Sequence, residues 1–159
     1  IVTFRNSNIW ENTMTFLTKF LSAVAFSVVF AGSALAADAA HKLAIHVDQS
    51  DPAVMNLALN NAKNVQSYYA EKGETVAIEV VAYGPGLKMY TADSPVKDRI
   101  SAMSLEYENL TFAACGNTLA AMEKKAGTKV ELISEAAMVP SGVVRLIELQ
   151  EQGYSYIRP

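Results

Sequence analysis

The chain is poor in cysteine: Cys115 is the only one in 159 residues. No internal disulfide can form, and without a C-x-x-C pair a dithiol redox cycle within one chain is excluded. Only two histidines are present. With no H-E-x-x-H and no paired Cys/His spacing, no metal site is expected. The chain also lacks a basic run. Lys and Arg number 13 against 16 acidic residues, for a net charge of −3, and aromatics are not interleaved with the cations, so no nucleic-acid partner is expected. No G-x-G-x-x-G follows a strand and no G-x-S-x-G elbow exists, so neither a dinucleotide cofactor nor a serine nucleophile is indicated. No cofactor of any kind is expected. Internal repeats and low-complexity linkers are missing too.

Long hydrophobic runs are scarce. The one near the start, Phe20 to Phe30, is shorter than the ~20 apolar residues of a spanning helix. It follows Lys19 and leads into Ala34-Leu35-Ala36, an A-x-A site with cleavage expected before Ala37. Residues 14–36 therefore read as a signal peptide opening at Met14, and residues 1–13 as an upstream extension. Export points to a bacterial periplasm, with no membrane span left after cleavage. An uncleaved anchor is the alternative. Roughly half of the residues are hydrophobic, which suits a single globular domain over residues 41–159.

What is present is a strict alternation of strand and helix signals. Lys42 to Val47 reads as a strand. Asp51-Pro52 caps a helix carrying Val54, Leu57, Ala58, Ala62, Val65 and Tyr68 at a 3.6-residue period, ended by Gly73. Val76 to Ala82 is a β-branched strand, with Glu79 suggesting a sheet edge or interface. Tyr83-Gly84-Pro85-Gly86 is a tight turn, and Leu87 to Tyr90 adds a turn or two of helix. Ser94-Pro95 opens a helix bearing Val96, Ile100 and Met103. Leu110 to Ala114 is a core strand ending at Cys115, and a helix follows to Gly127. Lys129 to Ile133 and Ala136 to Val139 compete as the fourth strand, with the second favoured as the core strand. Ser141 is the expected cap of a last helix buried through Val143, Leu146, Ile147 and Leu149. Tyr154 to Ile157 is the final strand. This order predicts a doubly wound α/β sheet of about five mostly parallel strands, with helices on both faces.

In such a sheet all strands end on one edge, and helix amino ends converge there. That edge gathers His46 and Asp48, Gly84 and Gly86, Cys115, Gly116 and Asn117, and Ser141 and Gly142. Two readings of Cys115 stand. Free N–H groups and the positive dipole end of a helix favour a thiolate there, and an odd cysteine in an exported protein suggests a reactive thiol. Equally, free cysteine is among the most buried residue types. His46 is a candidate proton acceptor beside the thiol, or simply a half-buried histidine at a strand end. The glycines, Asn117 and Ser141 are candidates for holding a small anion. Arg145, in the first turn of the last helix, opposes its dipole. A bound anion, a partner's carboxylate or a surface salt bridge accounts for it.

Several segments carry a family resemblance when taken in order: Asn60-Asn61, Glu79-Val80-Val81-Ala82-Tyr83-Gly84-Pro85-Gly86-Leu87, Phe112-Ala113-Ala114-Cys115-Gly116-Asn117-Thr118, and Val139-Pro140-Ser141-Gly142-Val143-Val144-Arg145-Leu146-Ile147-Glu148-Leu149. The chain resembles the DsrE/DsrF-like sulfur-relay proteins, and is most similar to their exported branch. The resemblance implies an α/β sheet and assembly into trimers or hexamers. It also implies, at Cys115, a cysteine after the third strand that carries persulfide sulfur. A protein or small sulfur species would then be donor and acceptor. The alternative function is a non-catalytic oligomeric module that binds a small anion or serves a structural role.

Overall fold

Strands joined through crossover helices all point the same way, and the described residues alternate the two. The computed structural model describes residues 39–159; the predicted signal at 14–36 and the segment 1–13 lie outside them. The elements are β1 (His41–Val47), α1 (Pro52–Glu71), β2 (Val76–Ala82), a 3-10 helix (Gly84–Tyr90), α2 (Lys97–Glu106), β3 (Leu110–Cys115), α3 (Gly116–Ala126), β4 (Ala136–Val139), α4 (Gly142–Glu151) and β5 (Ser155–Ile157). They build one five-stranded sheet in the order β4-β3-β2-β1-β5, with every pairing parallel. This is the doubly wound α/β architecture that the alternation predicts.

Side chains alternate across a strand, so each strand feeds two different cores. Leu43, Ile45 and Val47 of β1, Ile78, Val80 and Ala82 of β2, and Leu110, Phe112 and Ala114 of β3 face one side. Met55, Ala58, Leu59 and Ala62 of α1, Ile100 and Met103 of α2, and Leu119 of α3 cover them. Tyr90 is fully buried in this layer, and its hydroxyl donates to the Val80 carbonyl at 2.6 Å. The other side is thinner and made of small residues: Ala44, Val81 and Ala113 pack against Leu146 and Leu149 of α4. Small side chains let that helix lie close to the sheet. Because β4 and β5 are opposite edges, α4 must cross back over the sheet to join them. It starts at the carboxyl edge and passes over the strands between.

Several expectations are corrected. Glu79 lies on the central strand rather than at an edge, where Arg145 neutralises it. The strand at Ala136–Val139 exists, but it is an edge strand with Met138 exposed. The segment before it contributes a single bridge, Leu132 to Thr91. In α1 the buried stripe is Met55, Ala58, Leu59 and Ala62, while Leu57 and Tyr68 face solvent. In α4 Leu146 and Leu149 are buried, whereas Val143 and Ile147 are about half exposed. α2 begins at Lys97, two residues after Pro95, because Ser94 Oγ accepts from the Val96 amide and closes a turn first. Ser141 occupies the cap position of α4, but its side chain makes no capping bond.

The turn after β2 is fixed by close backbone approach. A Cβ on Gly86 would lie 2.1 Å from the Val47 carbonyl oxygen and 2.8 Å from the Asp48 nitrogen. Tyr83 N–H also donates to that Val47 carbonyl at 3.2 Å. The exits of β1 and β2 are thus bolted together through backbone alone. Gly86→Ala is expected to destabilise the fold by about 1–3 kcal/mol or more, since backbone cannot yield as a flexible side chain can. The midpoint of urea unfolding measures it.

Candidate functional site

β3 ends at Cys115 and α3 starts at Gly116 with no intervening loop. The sulfur therefore sits over the first turn of α3, whose amides have no partner within the helix. α4 brings a second helix amino end to the same place. A Cβ on Gly142 would lie 3.2 Å from Cys115 Cβ and 2.9 Å from Tyr83 Cβ, so glycine is what admits the α4 backbone to the thiol. Opposite, a Cβ on Gly116 would lie 3.2 Å from the Val139 carbonyl oxygen, and Asn117 N–H donates to the Pro140 carbonyl at 3.2 Å. These contacts tie the start of α3 to the chain entering α4.

Cys115 is only 4% exposed, yet the groups around its sulfur are polar. Burial is the largest single influence and pushes the thiol pKa up. The Thr118 side chain and the amides of Gly142, Thr118 and Asn117 push it down and together outweigh burial, leaving the thiol below its usual value. None of these donors makes a helix-capping bond of ordinary geometry to the sulfur. They act as several loosely directed dipoles around a large, polarisable atom, with the two helix ends adding to them. Thr118 is oriented by the neighbouring loop: its Oγ1 accepts the Gly84 amide at 2.9 Å. A hydroxyl has one proton, and with its oxygen so engaged that proton is left for the sulfur.

His46 is not part of this arrangement. It pairs in register with Val81, which pairs with Ala113. The histidine thus stands two strands away from β3 and two residues short of Cys115, about 10 Å across and about 7 Å along. Tyr83 directly follows the strand between, and its ring stacks on His46 with centroids 4.4 Å apart. His46 Nδ1 is 2.8 Å from the Tyr156 hydroxyl; Nε2 is buried without a protein partner. Asp48 beyond it is paired with Arg158 at 2.7 Å. The carboxyl edge therefore divides into a thiol half on β3 and α4 and an aromatic half on β1 and β5.

Of the residues expected at one site, the structure gathers Cys115, Gly116, Asn117, Ser141 and Gly142, with Gly84 joined through Thr118. Gly86 is occupied by its packing on Val47, and His46 lies in the other half. Thr118 and Tyr83 were missed. A hydroxyl three residues after the cysteine, at the third position of a helix, was the available signal for Thr118; Tyr83 gave none. Among the described residues no group of acidic, histidine and cysteine side chains is placed to hold a metal ion. A cleft of about 230 Å³ lies beside the thiol half, lined by Val139, Pro140, Ser141, Val144, Arg145 and Glu148. A larger one of about 460 Å³ opens at the opposite edge of the sheet, around His41, Tyr68 and Tyr69.

The model of the DsrE/DsrF-like family matches residues 29–159. The chain belongs to that family. Its fold is also similar to that of a solved structure, a protein of unknown function from Methanobacterium thermoautotrophicum. The two are 31% identical with a TM-score of 0.65, over 75% of this chain and 99% of the other. No curated protein matches.

Burial lowers the pKa of His46; Asp48 opposes the shift and Arg158 adds to it. The folded protein thus keeps this imidazole neutral where the unfolded chain has begun to bind a proton. Stability is full above the unfolded value near 6.5 and falls as pH drops through it toward the folded value. Denaturation midpoints between pH 7.5 and 5 should show this decline, and His46→Gln should flatten it.

Proposed function

We propose that this DsrE-family protein is an exported sulfur carrier in which the Cys115 thiolate accepts sulfane sulfur. The observation that carries the reading is the convergence of two helix amino ends and the Thr118 hydroxyl on one sulfur, which holds the thiol pKa below its ordinary value despite burial. The thiolate is the nucleophile in sulfur exchange. It attacks the outer sulfur of a donor persulfide; that S–S bond breaks, the donor leaves as a thiolate and takes up a proton, and Cys115 becomes a persulfide. A second thiolate, on an acceptor protein or small molecule, then takes the outer sulfur and regenerates Cys115. No electrons are gained or lost overall, so no metal or redox cofactor is called for. The amides of Asn117, Thr118 and Gly142 that favour the thiolate also suit the persulfide anion, and Gly116 and Ser141, next to them in the chain, complete the proposed ligand-holding rim.

The periplasmic location rests on the signal sequence at 14–36. Assembly into a trimer or hexamer is supported by exposed apolar side chains next to the site: Val143, Val144 and Ile147 of α4 with Met138 of β4, each about half exposed or more. A second reading is favoured by the 4% exposure of Cys115. In it, the cysteine packs the joint between β3 and α4, and the glycine rim binds a small anion or nothing.

Mass spectrometry on the signal-free protein separates the two. Exposure to a low-molecular-weight persulfide is expected to add one sulfur atom at Cys115 and none to Cys115→Ser. Alkylation that is slow until the fold is denatured, with no sulfur gained, rejects the carrier reading. Thr118→Val removes one donor, worth about 1.5 kcal/mol when it serves an anion. It is expected to slow alkylation at neutral pH roughly tenfold while leaving the high-pH plateau unchanged.

A further inference from the structure

One buried charge is left unused by this chemistry. Glu79 sits in the middle of the central strand, 7% exposed. Its carboxylate accepts two parallel bonds from Arg145, Nε to Oε1 at 2.7 Å and Nη2 to Oε2 at 2.6 Å. A cation in the first turn opposes the helix dipole, and within α4 Arg145 has only a longer bond, from Nη1 to Glu148 Oε2 at 3.4 Å. Its backbone N–H makes the first hydrogen bond of α4, to the Ser141 carbonyl at 2.9 Å. The pair therefore grips the turn that carries Gly142.

β2 and the residue that follows it hold this turn at two points. Tyr83 packs against Gly142 at the carboxyl edge, and Glu79, on the same face of the strand, holds Arg145 four residues earlier. Tyr83 sets how near the helix comes, and a planar two-bond fork sets its rotation and its position along its axis, which a single contact does not do. The sheet side of this helix is otherwise only small residues and two leucines.

We propose that Glu79 is a positioning residue for the Cys115 thiol, acting through Arg145 to keep the Gly142 amide facing the sulfur. This rests on the thiolate reading above. Its sign distinguishes it from a plain charge effect. Removing the carboxylate charge leaves Arg145 with more net positive field, which by itself would lower the thiol pKa. Losing the grip on the amide raises it.

The test compares the signal-free wild-type protein with Glu79→Gln and Arg145→Lys, measuring iodoacetamide alkylation against pH, with circular dichroism to confirm folding. Slower alkylation at neutral pH by about threefold or more, an unchanged high-pH plateau and a midpoint moved to higher pH are expected in Glu79→Gln. Arg145→Lys, which keeps the charge without the fork, should move the midpoint the same way. A midpoint unchanged or lower in a folded Glu79→Gln protein overturns the proposal. If Glu79→Gln does not fold, the Arg145→Lys midpoint decides alone. A wild-type thiol with an ordinary midpoint and no persulfide uptake would instead reject the carrier reading itself.

Discussion

A thiol withdrawn from water keeps its proton unless something takes the place of the water. At Cys115 burial and polar contacts pull in opposite directions, and the contacts prevail. The donors come from two places in the chain: the first turn of α3, including a threonine hydroxyl oriented by the loop after β2, and the first turn of α4. A fold that brings strand ends and helix starts to one edge delivers both to a single atom. The parallel sheet is such a fold, and its register fixes which loops meet there.

Much of that was legible in the sequence. The strand–helix alternation, the Asp51-Pro52 start of α1 and the direct passage from a buried strand through Cys115 into a helix all follow from local patterns. What failed was partnering. Glu79 reads locally as an edge residue, because a carboxylate at the centre of a sheet needs a cation that the local pattern does not reveal. Arg145 lies 66 positions away. His46 and Cys115 share an edge and a face, but nothing in the order of elements says that Tyr83 stands between them. The exposed Val143 and Ile147 defeat a reading by helical period for a related reason: α4 touches the sheet along a narrow stripe of small residues, leaving its flanks outside.

The two faces of the sheet differ in kind. One carries the bulk of the apolar core beneath three helices and gives the domain its stability. The other is covered by α4 alone among the described elements, and holds Glu79, Tyr83, His46 and Cys115, the residues with chemical character. Such a division leaves the chemistry on a surface that tolerates change without loss of the main core.

It also has a consequence in time. Cys115 leaves the ribosome before α4, so a chain still being made carries this thiol without the Gly142 amide beside it. Its full set of donors is assembled only when α4 falls into place. The surroundings of this thiol are thereby coupled to the docking of α4 on the sheet.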